Sequence, residues 1–140
     1  MKKIPAIKTV MTPFPYSVES GLDVATALDT MNTHDIHHLP VTNGNKLAGI
    51  ISLRDIRRRM EDDPNETLKV HDVMSSDTYT VDLSERLDSV LHRMAEHHLS
   101  SVIVTRKGKL AGIFTHVDAY AAFSEFLREQ VRRSGGGTAA

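Results

Sequence analysis

Three observations predict an α+β (α/β) protein, built from two β-α-β-β-α units with small sheets packed against helices. Residues 10–55 of the 140-residue chain lie without a gap on residues 73–118, a shift of 63 positions. Fifteen of the 46 pairs are identical, where unrelated segments would give roughly three. Each copy carries an apolar stripe at helical spacing, then two apolar runs around a glycine-containing turn. Each copy closes on a glycine-bearing apolar strand followed by a hydroxyl and an aspartate. A unit this short does not bury its apolar face alone, so two halves are expected to close on each other. The cleft between them is then the place for a ligand.

The elements follow in order. Pro15 to Val18 is a short extended piece ending at Glu19-Ser20-Gly21. Ser20 with Asp23 has the spacing of a capping box. Val24, Ala27, Leu28 and Met31 then form one apolar stripe, repeated by Leu87, Val90, Leu91 and Met94. A hairpin follows, with His38 to Thr42 and Lys46 to Ser52 flanking Asn43-Gly44-Asn45. In the second copy Ser101 to Thr105 and Leu110 to Thr115 flank Arg106-Lys107-Gly108. A closing helix from about Leu53 to Glu61 is stopped by Asp62-Asp63-Pro64. Its counterpart runs unbroken from His116 to about Arg133, with Ala119, Ala122, Phe123, Phe126, Leu127 and Val131 on one side. That stripe either packs back over its own unit or serves self-association as a homodimer. The expected division is 1–63 for the first repeat with its N-terminal segment and connector, 64–128 for the second, and 129–140 for the helix end and a glycine-rich tail. Ser134 to Ala140 has linker composition and is expected to be disordered.

Composition narrows the function classes. The formal net charge is -1, so no global field points to nucleic acid or an acidic membrane. No apolar run is long enough to cross a bilayer, and the N-terminus lacks the apolar segment of a secretory signal. The expectation is a soluble cytoplasmic protein. With no cysteine, disulfides, thiolate metal sites and thiol catalysis are excluded. Few aromatics and no tryptophan argue against a stacking platform for single strands.

The chemistry concentrates at two strand-to-helix junctions, Gly49-Ile50-Ile51-Ser52-Leu53-Arg54-Asp55 and Gly112-Ile113-Phe114-Thr115-His116-Val117-Asp118. Glycine lets a ligand or a neighbouring strand approach the backbone closely. The hydroxyl sits where unpaired helix N–H groups favour an anion or a polar ligand. The aspartate, one turn in, can accept hydrogen bonds from two vicinal hydroxyls, as a ribose presents. Ser52/Asp55 and Thr115/Asp118 also have capping-box spacing and could simply start two helices. The two roles are compatible, because a carboxylate has two oxygens.

These residues resemble a tandem pair of CBS domains, the regulatory module named after cystathionine beta-synthase. Val10-Met11-Thr12, Ile36-His37-His38-Leu39-Pro40-Val41, Leu47-Ala48-Gly49-Ile50-Ile51 and Ser52/Asp55 carry the likeness in the first repeat. Val73-Met74-Ser75, Leu99 to Val104, Leu110-Ala111-Gly112-Ile113-Phe114 and Thr115/Asp118 carry it in the second. It covers residue 7 to about 125. The resemblance implies a pseudo-twofold module with two clefts for adenosine-containing ligands: AMP, ADP, ATP, NAD or S-adenosylmethionine. It implies that Asp55 and Asp118 hold the ribose hydroxyls, that Ser52 and Thr115 touch ribose or phosphate, and that Ser17 and Thr80 join them. The base is expected in an apolar slot with main-chain hydrogen bonds near Ile36 and Leu99, and Gly49 and Gly112 are counted among the ligand-binding residues. By the same likeness, basic residues before the hairpin strand meet phosphate. These are His37 and His38 in the first repeat, where the second has Ser100-Ser101. Arg54 and His116 lie close by in the junctions. The expectation is two unequal sites, with the one near His37, His38 and Asp55 favouring the more phosphorylated ligand.

Other readings are weaker on the residues. His34, His37 and His38 cluster, as do His97 and His98, yet no carboxylates accompany them at metal-binding spacing. Arg54, Arg57, Arg58 and Arg59 are followed at once by Glu61-Asp62-Asp63, which pairs or solvates them rather than making a nucleic-acid patch. No catalytic triad, carboxylate pair or phosphate-loop lysine stands out, so no catalytic cofactor and no enzyme is expected. The adenine nucleotide is a regulatory ligand, and the output passes to an unidentified effector protein or to another part of a longer chain. The runner-up is an interaction or assembly module with empty pockets.

Overall fold

The computed structural model describes residues 3–64 and 67–135, so the tail from 136 to 140 lies outside the described residues. The order is a 3-10 turn (Ile7–Thr9), β1 (Thr12–Pro13), β2 (Val18–Glu19), α1 (Val24–His34), β3 (His38–Asn43), β4 (Lys46–Ser52) and α2 (Leu53–Asp62). The second half adds α3 (Val70–Val73), β5 (Thr80–Asp82), α4 (Leu87–His97), β6 (Ser101–Arg106), β7 (Lys109–Thr115) and α5 (His116–Arg133). The α+β architecture read from the repeat is the one observed.

Each repeat builds a small sheet around its hairpin. The first has the order β2-β3-β4 and the second β1-β7-β6-β5. In both, the short strand before the first helix runs parallel to the first hairpin strand, Val18 beside Val41 and Val81 beside Val104. Both hairpins shift register at the same place, between Val41 and Thr42 and between Val104 and Thr105. Gly44 (φ 66) and Gly108 (φ 78) turn them in the left-handed region that glycine adopts without strain.

Which side chains are buried follows from the repeat. Val18, Val24, Ala27, Met31, Leu39, Val41, Ile51 and Ile56 form one core; Val81, Leu87, Val90, Met94, Val102, Val104 and Phe114 form the other. The lead-in segments are exchanged, however. Ile7, fully buried, belongs to the core of the second repeat, and β1 pairs antiparallel with β7, Thr12 opposite Ile113. Leu68 and Val70 belong to the core of the first repeat, and Ser75 bridges Ile50. Each half is therefore completed by the chain that precedes the other.

That exchange corrects two expectations. Ser20 and Asp23 do not form a capping box: α1 starts at Val24, and its first N–H donates to the Leu68 carbonyl at 2.9 Å. Asp23 instead pairs with Lys69 Nζ at 2.7 Å, because the incoming connector supplies the cap. Gly49 and Gly112 do not face open groove. A Cβ on Gly49 would fall on the Ser75 carbonyl oxygen, and one on Gly112 on the Met11 sulfur and the Thr12 carbonyl. Their lack of a side chain admits the exchanged backbone, not a ligand. Finally, α5 packs on its own unit only at its start, through Ala119. None of its residues is buried, and Tyr120, Phe123, Phe126, Leu127 and Val131 are all about half exposed or more.

Candidate functional site

β4 and β7 each end on a hydroxyl that starts a helix, and the two junctions solve the capping problem differently. Ser52 Oγ accepts the Asp55 N–H at 3.1 Å. Asp118 Oδ2 accepts the Thr115 N–H at 2.9 Å, and Thr12 Oγ1 donates to Asp118 Oδ1 at 3.2 Å. The Asp118 carboxylate thus helps begin α5, whereas at α2 the Ser52 hydroxyl does the capping. The Asp118 carboxylate is partly engaged and ties down the exchanged lead-in. The Asp55 carboxylate makes no hydrogen bond among the described residues.

The lead-in exchange decides what each carboxylate faces. Groove one, of about 580 Å³, is walled by Thr12 to Tyr16, Asp35 to His38, and the Ile113 to Asp118 junction. Ile36 and His37, from the first repeat, therefore sit with Thr115, His116 and Asp118 of the second. Groove two repeats this arrangement about the pseudo-twofold axis as two cavities that share Ile50, Ser100 and Ser101. One, of about 200 Å³, is lined by Ser75, Asp77 to Tyr79 and Leu99; the other, of about 280 Å³, by His38, Ser52, Arg54, Asp55 and Arg58. Between the grooves lies a cavity of about 480 Å³ lined by His37, His38, Arg54, Arg57, Arg58 and His116, with Glu61 as its one carboxylate.

His38 is the hinge of this arrangement. Its Nε2 lies 3.2 Å from Ser100 Oγ of the other repeat, and its ring centroid is 6.1 Å from that of His116. Burial holds its pKa below the ordinary histidine range. Repulsion from His116 and His37 adds to that, and Asp55 opposes it. An anion arriving here would reverse the balance.

The sequence reading grouped His37, His38 and Asp55 into one site; the structure pairs them crosswise. His37 lies with Asp118, Asp55 lies with Ser100 and Ser101 of the other repeat beside the cavity that Leu99 lines, and His38 borders both grooves. Ser17 and Thr80 are exposed and line none of these cavities. Phe14, Tyr16, Asp77 and Tyr79 line the grooves instead. Phe14 is 93% exposed at the lip of groove one, with a left-handed φ of 48 that is unusual for a bulky residue. Asp77 holds the matching position in groove two. Tyr16 stacks on His34 at 3.7 Å, and Arg93 lies 4.7 Å over the ring of Tyr79. The identity of Tyr16 and Tyr79 in the repeat was the available signal. Among the described residues no His, Asp or Glu cluster could hold a metal ion, and no helix is long and apolar enough to cross a membrane.

Comparison with known proteins gives the family. The CBS domain matches residues 7–62 and again 70–125. The chain is a CBS-domain pair. Its relatives include the uncharacterized protein MJ1225 of Methanocaldococcus jannaschii, 26% identical over 113 residues, which cover 80% of this chain and 40% of that protein. The chain thus spans less than half the length of that relative. AcuB from Vibrio cholerae superposes with a TM-score of 0.86 at 26% identity, covering 92% of this chain and 98% of that one. The CBS pair of MJ0100, solved with 5′-methylthioadenosine and S-adenosyl-L-methionine, superposes with a TM-score of 0.80 at 26% identity, covering 88% and 98%.

Proposed function

We propose that this CBS pair is a non-catalytic regulatory module that binds adenosine-containing ligands in its two crosswise grooves. The carrying observation is the pair of mirrored carboxylates, Asp55 and Asp118, each one turn into a helix. Each faces a groove whose other wall is an apolar residue of the opposite repeat, Leu99 or Ile36. A ribose offers two adjacent hydroxyls to such a carboxylate, and the base takes the apolar slot. The ligands in the MJ0100 pair, both adenosine derivatives, support the same class here.

The phosphate-bearing members of that class, AMP, ADP and ATP, suit the cationic cavity between the grooves. Ligand in either groove touches both repeats, so it biases their relative arrangement and stiffens the module. That change acts on a separate effector protein in the cytoplasm. The bare apolar side of α5, from Tyr120 to Val131, supports pairing with a second copy. Titration calorimetry with AMP, ATP, NAD and S-adenosylmethionine tests the reading. Binding that weakens in both Asp55→Ala and Asp118→Ala supports it; no heat from any of the four refutes it.

A second reading, an assembly module with empty pockets, draws only on the α5 stripe. It predicts that none of these compounds raises the melting temperature.

A further inference from the structure

We propose that Phe14 is an aromatic cover for the ligand's base in groove one, and that groove two has no such cover; this deepens the adenosine reading above and rests on it. Phe14 lines groove one together with Ile36 and Asp118, yet 93% of it is exposed. Its backbone is pinned in place. The Phe14 N–H donates to the Ala111 carbonyl at 3.1 Å, beside the pairing of Pro13 with Gly112, and a proline stands on either side. A residue before a proline is driven toward extended backbone, but Phe14 holds a φ of 48. That conformation is disfavoured for a bulky side chain, and such outliers gather at ligand clamps. Asp77, its counterpart in the second repeat, lies between Ser76 and Thr78 and has no positive φ. The strained, exposed ring belongs to groove one alone.

The other aromatic rings at the grooves already have a partner. Tyr16 is stacked on His34 at 3.7 Å, and Tyr79 lies under Arg93 at 4.7 Å. Phe14 has no aromatic or cationic partner among the described residues. With the ribose on Asp118 and the base over Ile36, the free face of Phe14 closes the groove on the base. Both grooves then hold the sugar by a carboxylate, but only groove one stacks the base; Asp77 offers no ring at the matching lip. Stacking a base on an aromatic side chain strengthens binding roughly 10- to 100-fold. The fixed backbone keeps the ordering cost of that contact small. Adenine compounds therefore fill groove one first, and base identity is read there rather than in groove two.

Titration calorimetry with AMP and with ribose 5-phosphate, on the wild type and on Phe14→Ala, tests this. The tighter AMP event should weaken roughly 10- to 100-fold in Phe14→Ala, while the weaker AMP event and ribose 5-phosphate stay as in the wild type. Because the ring packs on so little, the variant should melt within about 2 °C of wild type. The chain has no tryptophan, so Phe14→Trp supplies a single fluorescent reporter at the lip. Its emission should change as the first AMP equivalent binds. That change should disappear in Phe14→Trp with Asp118→Ala and persist in Phe14→Trp with Asp55→Ala. AMP binding to Phe14→Ala with wild-type affinities, equal losses for AMP and ribose 5-phosphate, or a tryptophan signal that survives Asp118→Ala overturns the cover. Absence of AMP binding to the wild type overturns the adenosine reading itself, and the cover with it.

Discussion

Replacing each of the two aspartates by alanine separates what a capping carboxylate does from what a sugar-binding one does. Asp118 accepts the Thr115 N–H at 2.9 Å and the Thr12 hydroxyl at 3.2 Å. Loss of an N-terminal cap costs about 1 kcal/mol, and the half-exposed bond to Thr12 adds about 0.5. For a chain of this size that is a fall in melting temperature of roughly 3–8 °C. Asp55 holds no such bonds, and Ser52 continues to cap α2 without it. Asp55→Ala therefore costs about 0.5 kcal/mol or less, the share of a helix-dipole interaction. For ligand the two are alike. A carboxylate bonded to two ribose hydroxyls contributes about 3 kcal/mol at the low end for charged hydrogen bonds, so each alanine weakens its own groove roughly 100-fold. Differential scanning fluorimetry of the apo variants and AMP titration of both read the two quantities separately. Equal melting temperatures for the two variants would refute the capping assignment. An Asp55→Ala protein that still binds AMP like the wild type in both grooves would refute the sugar assignment.

Three further outcomes follow from the same geometry. Because His38 is held below its ordinary pKa of about 6.5, the apo fold carries its full His38-linked stability above that pH and loses it as pH falls toward the depressed value. A phosphate favours the protonated ring, so ATP affinity should rise over the same descent while adenosine affinity stays flat; His38→Gln should flatten the ATP slope, with His37 and His116 of the same cavity left to carry the rest. Gly49→Ala puts a methyl on the fixed Ser75 carbonyl and should cost about 1–3 kcal/mol, more than Gly112→Ala, where the flexible Met11 side chain can yield, as urea unfolding would show. Phe123→Glu with Phe126→Glu on the exposed side of α5 should leave the melting temperature within a degree or two of wild type, yet shift sedimentation from dimer to monomer.

The repeat made the local fold legible because its identities fall where packing demands them. Val18 and Val81, Met31 and Met94, and Val41 and Val104 are core pairs, and the glycine-turn hairpins follow from spacing alone. The exchange of lead-ins was not legible. Residues 10–13 and 73–76 align with each other, but alignment does not say which sheet receives them; that is settled by long-range packing of Ile7, Leu68 and Val70. The one local hint was Gly49 and Gly112, bare positions in otherwise bulky strands that a neighbouring backbone could occupy. That hint leaves ligand and neighbouring strand equally open, and it does not say which strand arrives. A capping box at Ser20 and a site joining His37 to Asp55 both require repeats that complete themselves, which the exchange of lead-ins prevents.

The most direct measurement is a crystal structure of the protein grown with AMP. The account predicts an adenosine in each groove, its ribose hydroxyls within hydrogen-bond distance of Asp118 in one and Asp55 in the other, and the bases against Ile36 and Leu99. Adenosine bound away from both carboxylates, or grooves left bare at saturating AMP, would contradict it.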